Sequence, residues 1–84
     1  MVSLEKIHSY SFENHDILMD VDKCGCFYCE RIFKPSQIVD WIEDKNGLTS
    51  QCLYCEIDSV IPESKTGEYE LSRDLLKQMY EYWF

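Results

Sequence analysis

Apolar residues recur along this chain in short bursts, the longest spanning four positions, and each burst predicts one small element. Ser9-Tyr10-Ser11-Phe12 alternates polar and aromatic positions, which predicts a short strand. Residues 13–20 predict a short helix, with Glu13, Asn14 and Asp16 favouring its start and Ile17, Leu18 and Met19 forming a buried side. Residues 24–34 read as a hairpin that carries cysteines at its turn. Pro35-Ser36 then opens a second helix, with Ser36 as its cap or Pro35 at its first position. Ile38, Val39, Trp41 and Ile42 fall on one side of that helix, Asp40, Glu43 and Asp44 on the other, and Asn46-Gly47 ends it.

Leu48 to Gln51 lead into a second cysteine turn, and Ile57 to Ile61 predict a strand stopped by Pro62. Residues 63–70 are a polar loop with a turn near Gly67. Ser72 caps a C-terminal helix over 72–83, where Leu71 and Leu76 form a hydrophobic staple. Leu75, Leu76, Met79, Tyr80 and Trp83 supply its buried side. The aromatic run Tyr80-Glu81-Tyr82-Trp83-Phe84 either docks onto the cysteine turns or forms an exposed contact patch. Docking is the expectation, because a small chain has little else with which to fill a core.

The cysteines change the picture most. Cys26-Phe27-Tyr28-Cys29 and Cys52-Leu53-Tyr54-Cys55 are two Cys-x-x-Cys pairs with 22 residues between them. Two residues between cysteines let a tight turn aim both sulfurs at one ion, and two such turns complete a tetrahedron. The spacing therefore points to a structural zinc ion held by Cys26, Cys29, Cys52 and Cys55. Disulfides fit an odd cysteine count and two short pairs poorly. A thioredoxin-like redox pair belongs in a βαβ setting and seldom carries aromatic residues inside it. Cys24 is the remainder: Gly25 permits a bend that would bring it toward the metal, but a buried thiol beside the site is the favoured reading. His8 and His15 lack ligand spacing to either pair and are read as surface or packing residues.

Composition bounds the rest. The chain has 84 residues, enough for one small domain over 1–84, and its 14% aromatic content excludes a chain that stays disordered. Eight Lys+Arg against sixteen Asp+Glu give a formal net charge of −8, which opposes binding to nucleic acid or to an anionic membrane. Four thiolates around one dication would take the total to about −10. The first sixteen residues lack the apolar core of a secretory signal, so a cytoplasmic protein is expected. The fold class expected is α+β, a zinc-ribbon or treble-clef-like domain with two cysteine knuckles, a short β-hairpin and two to three helices.

Three segments together resemble a family of small bacterial cytoplasmic proteins. They are Cys24-Gly25-Cys26-Phe27-Tyr28-Cys29, then Phe33 to Ile38 with Trp41-Ile42, then Cys52 to Ile61. That family's pattern is Cys-Gly-Cys-Phe-Tyr-Cys, a short helix with Trp-Ile, Cys-Pro-x-Cys-Gly-Ile-Asp-Ser-Val-Ile, and a last helix closing in Tyr-Trp-Phe. The resemblance covers nearly the whole chain. It implies a bacterial or phage origin and a zinc-ribbon or treble-clef-like core, and it implies no activity. This chain has Leu53 where the pattern has Pro and Glu56 where it has Gly. That glycine takes a left-handed backbone conformation which turns N–H groups toward the sulfur.

Function classes follow from these features. A closed four-cysteine site keeps no open metal position, so the chain reads as a non-catalytic, zinc-stabilised protein-interaction module. Residues 35–63 hold the acids Asp40, Glu43, Asp44, Glu56, Asp58 and Glu63 against one base, Lys45, a face suited to a basic protein partner. A sharper version is an immunity or inhibitor protein that neutralises a basic toxin or nuclease. A zinc-finger-like hydrolase is disfavoured: no His lies between Cys24 and Phe84, and Ser59, beside Asp58, has no apparent base. A nucleic-acid-binding zinc ribbon lacks a basic stripe.

Overall fold

The computed structural model describes residues 2–84. In it the chain is an α+β unit of three helices and two small antiparallel sheets. The order is α1 (Leu4–Ser9), α2 (His15–Met19), β1 (Cys24–Cys26), β2 (Ile32–Phe33), a 3-10 turn (Pro35–Gln37), β3 (Trp41–Asp44), β4 (Gly47–Ser50), β5 (Val60–Pro62) and α3 (Arg73–Trp83).

The first sheet has the order β2-β1-β5. Its register pairs Cys24 with Phe33 and Pro62, Gly25 with Ile32 and Ile61, and Cys26 with Val60. Alternation along a strand then sends Cys24, Cys26, Phe33 and Val60 to one face and Ile61 to the other. The two faces carry two separate cores. One gathers Leu18, Cys24, Cys26, Phe33, Ile38, Cys52 and Val60. The other gathers Ile7, Phe27, Ile61, Leu76 and Met79, and so joins α1 and α3 to the sheet. Gly25 is what lets α3 sit there, since a Cβ at this position would lie 3.0 Å from Leu76 Cδ1 and 3.3 Å from Leu71 Cδ1. The bend anticipated at Gly25 is absent: the residue is a strand residue, and its small size serves helix packing.

The predicted hairpin at 24–34 and the predicted short helix within 13–20 are both present. Of the latter's expected buried side, Leu18 is buried, whereas Ile17 and Met19 are exposed. Ser72 caps α3 as expected, its Oγ accepting from the Leu75 N–H at 3.2 Å. Leu76 and Met79 are its buried residues, and Tyr80 and Trp83 lie partly in solvent. Pro62 does not stop the strand before it but forms the end of β5, an edge strand that tolerates its missing N–H.

Two expected elements are replaced. Residues 9–12 are no strand, because α1 runs through Ser9 and its C-terminal turn is closed by the Tyr10 and Ser11 N–H groups donating to Ile7 O and His8 O. The helix expected from Pro35 to Asn46 stops after Pro35–Gln37, and Trp41 to Ser50 form the second sheet, β3 paired with β4 across Lys45-Asn46. The physical reason lies in two places. Ile38, Val39 and Ile42 are β-branched, which disfavours helix. Segment 13–14 also offers β4 hydrogen bonds that only an extended chain can use. The Ser50 N–H donates to Asn14 Oδ1 at 3.0 Å, and the Glu13 N–H donates to Thr49 Oγ1 at 2.8 Å.

Asn14 is the joint between the sheets. Its side chain is fully buried, and its Nδ2 donates to Tyr10 O and to Val60 O, both at 2.9 Å. One amide thus satisfies the end of α1, the free edge of β5 and the edge of β4. A buried amide with every partner present stabilises; with partners missing, each orphaned group costs about 1–3 kcal/mol.

Candidate metal centre

Each Cys-x-x-Cys pair sits on a tight turn, and the two turns are built alike. In the first, the Cys26 N–H donates to Arg31 O at 2.9 Å and the Glu30 N–H donates to Cys26 O at 2.8 Å. In the second, the Cys52 N–H donates to Ile57 O at 2.9 Å and the Glu56 N–H donates to Cys52 O at 3.1 Å. The N–H two residues beyond the leading cysteine faces its sulfur in both, Tyr28 to Cys26 Sγ at 3.4 Å and Tyr54 to Cys52 Sγ at 3.3 Å. Both turns close through a glutamate in the left-handed region, Glu30 and Glu56, each at φ 63°. The residue after the last cysteine of each turn is thus left-handed, and a glutamate adopts that conformation with its side chain in place. Such a conformation costs a non-glycine residue about 1–2 kcal/mol.

The turns meet sulfur to sulfur. The four Sγ atoms of Cys26, Cys29, Cys52 and Cys55 all lie within 4.8 Å of one another. The two short separations run across the knuckles, Cys26 to Cys55 and Cys29 to Cys52, both at 3.6 Å. A disulfide needs about 2.05 Å, and all five thiols are free. A tetrahedron with metal–sulfur bonds of about 2.3 Å has edges of about 3.8 Å, so the sulfurs are spaced as ligands to a shared ion. The structure thus brings together the four cysteines singled out by spacing, in an arrangement able to hold a metal ion.

The thiols do not ionise equally. Burial pushes Cys26 up to about 11, against the Ser59 hydroxyl and the N–H groups of Cys29 and Tyr28. Burial likewise pushes Cys29 up to about 11, opposed by the Arg31 N–H. It also raises Cys55. At Cys52 burial is outweighed by the N–H groups of Cys55 and Tyr54 and by the Cys29 and Cys55 thiols, and this thiol lies below its ordinary value. Of the four, Cys52 is thus the thiol whose ionisation its surroundings favour, and a dication held by the set would favour ionisation of the others.

Cys24 stays outside the cluster. It is fully buried, its Sγ faces Phe33 O at 3.5 Å, and burial pushes it up to about 12. The histidines pack on rings: His8 lies 4.1 Å from Trp83 and 5.5 Å from Phe27, and His15 lies 4.8 Å from Trp41. Ser59, buried, places its Oγ 3.0 Å from Cys26 Sγ, so the hydroxyl is a neighbour of the sulfur cluster. Nothing in the sequence marked Ser59 or Asn14 for these contacts, because both depend on strand β5 meeting distant segments.

The six acids of 35–63 do not form one free set. Asp40, Glu43, Glu56 and Asp58 are exposed. Asp44 accepts from the Thr49 hydroxyl. Glu63 Oε2 accepts from the Asp22 and Lys23 N–H groups at 2.9 and 2.8 Å. Beside the second knuckle, Arg31 lies over the Tyr54 ring, 4.4 Å from its centroid. The C-terminal rings do reach the first knuckle, with Phe84 5.9 Å from Phe27 and 4.9 Å from Tyr28. Among the described residues no helix is long and apolar enough to cross a membrane.

No protein-family model, no curated protein and no solved structure matches this chain.

Proposed function

We propose that the protein is a non-catalytic protein-interaction module whose fold is held by one structural zinc ion on Cys26, Cys29, Cys52 and Cys55. The observation that carries this reading is the cross-knuckle sulfur spacing of 3.6 Å within a set spanning no more than 4.8 Å. Zinc suits four thiolates in tetrahedral array, and four protein ligands leave it no open position for a water or substrate. Both ligand pairs sit on turns that join or follow strands, which favours a ribbon-like description over a treble clef. With zinc bound, the centre carries about −2 and the protein about −10, which selects for a basic protein partner. The resemblance to small bacterial cytoplasmic proteins agrees with a reducing compartment, where free thiols persist.

Metal analysis and denaturation test this directly. One zinc per chain, cooperative unfolding on chelation and recovery on zinc addition are the expected results. A chain that folds fully without binding metal would overturn the structural role. Metal-dependent hydrolysis of nucleic acid by the pure protein, lost in Asp58→Ala, would overturn the non-catalytic reading.

A further inference from the structure

The rings near the end of α3 do more than fill a core. Phe27, beneath them, is 2% exposed, whereas Tyr28, Tyr80, Tyr82, Trp83 and Phe84 remain 41%, 37%, 53%, 38% and 59% exposed. They cap this end of the molecule in two groups, joined beneath the surface by His8 and the buried Phe27. Tyr80 and Phe84 lie 5.5 Å apart, Tyr28 joins both, and Trp83 lies 4.8 Å from Tyr82 and reaches Phe27 through His8. Exposed rings held against one another, rather than scattered singly, mark a contact surface.

Two arguments identify the occupant. The first is area. Five rings exposed by about half present roughly 500 Å², short of the roughly 800 Å² per partner of a stable protein–protein interface. A second copy of the chain would also bring another charge of −8 to the same contact. The second argument is chemistry. Aromatic faces attract guanidinium groups, and Glu5, whose carboxylate accepts from Tyr82 Oη at 2.7 Å, places an anion at the rim. On an acidic protein, such a surface takes a short arginine-bearing segment, with guanidinium groups stacked on the rings.

We propose that the aromatic cap formed by Tyr28, Tyr80, Tyr82, Trp83 and Phe84 is the docking surface for an arginine-bearing segment of a basic protein partner. The proposal rests on the interaction-module reading above and moves the contact away from the acids of 35–63, two of which are engaged within the fold.

The test is an amide NMR titration of the zinc-loaded full chain at about 150 mM salt, where bare charge attraction is largely screened. The probes are a ten-residue peptide of alternating Gly and Arg and its Gly and Lys counterpart. The expected result is saturable shifts at residues 27–29 and 80–84, with the Arg peptide binding several-fold tighter than the Lys peptide. The double variant Tyr28→Ala, Phe84→Ala should weaken Arg-peptide binding at least tenfold while keeping its zinc content. The variant Asp40→Asn, Glu43→Gln should change it less than twofold. Shifts confined to residues 40–44 and 56–63, with the cap unmoved, would overturn the cap and leave the basic-partner reading standing. Binding to neither surface would overturn both. Concentration-dependent dimer formation abolished by the double variant would assign the cap to a second copy and overturn the proposal.

Discussion

The two knuckles share one backbone design and differ in everything around it. Their closing hydrogen bonds, sulfur-facing N–H groups and left-handed glutamates correspond position by position. The first grows out of the middle strand of a three-stranded sheet, buries Phe27 to 2% and lies under aromatic rings. The second follows a two-stranded sheet, leaves Leu53 half-buried and meets Arg31 over Tyr54. The local geometry is thus set by a short repeated pattern, Cys-x-Tyr-Cys-Glu, while the stability of each copy is set by its surroundings. Phe27 of the first knuckle packs in the core beneath α3, whereas Cys52 and Leu53 of the second pack with Cys26 in the core on the opposite face of the sheet.

If the four cysteines hold zinc as proposed, removing it should separate the two knuckles most sharply. Structural zinc is worth about 10–16 kcal/mol of apparent binding energy in small domains, so chelation, or Cys52→Ser, should unfold much of the chain. Hydrogen exchange during partial chelation should show amides 52–57 losing protection before those of β1. Equal loss in both knuckles would remove the asymmetry.

Packing is the next largest difference. Phe27→Ala should destabilise the zinc-loaded protein by about 3–5 kcal/mol, and Leu53→Ala by about 1 kcal/mol, measured by denaturant titration. Asn14→Ala falls between them at about 2–3 kcal/mol, since it strips partners from buried backbone groups of both sheets.

Proton release should follow the same division. Cys26 and Cys29 are pushed up to about 11, so near neutral pH both carry protons that the metal must displace. Affinity for zinc should therefore rise with pH, at least a hundredfold per unit through the loss of two protons, as read by competition with a chelator. In the part of the chain that stays folded without metal, the sense is opposite. These two thiols have an ordinary value of 9.0 and folded values near 11, so their contribution is complete below pH 9 and is lost as pH rises through 11.

The smallest effect tests the likeness itself. Glu30→Gly and Glu56→Gly each relieve a left-handed side chain and should each stabilise by about 0.5–1 kcal/mol, net of the unfolded-state entropy of glycine. Unequal gains would show that the matching φ values conceal different local strain.

Features encoded over a few residues were legible in the sequence: cysteine spacing, the Ser72 cap, the hairpin at 24–34 and the turn at Gly67. Features that depend on distant segments were not. Ile38, Val39, Trp41 and Ile42 have a spacing that fits a helix face, yet β4 finds its partners in Glu13 and Asn14, more than thirty residues earlier. Ser9 to Phe12 alternate like a strand, but the turn closing α1 takes them first. The four clustered cysteines were readable because metal-site chemistry restricts their spacing. The cap was only half readable, since composition announces aromatic rings but not that they dock and stay exposed at once.

Gly25 ties these regions together mechanically. It lies between Cys24 and Cys26 in one strand, and Leu76 of α3 rests on it with no side chain intervening. The helix from Arg73 to Trp83 spans about 16 Å, so that contact places its near end against β1 while its far end carries Trp83. The strand that carries Cys26 and the helix that carries the exposed rings therefore meet through one close contact, between a glycine and a leucine.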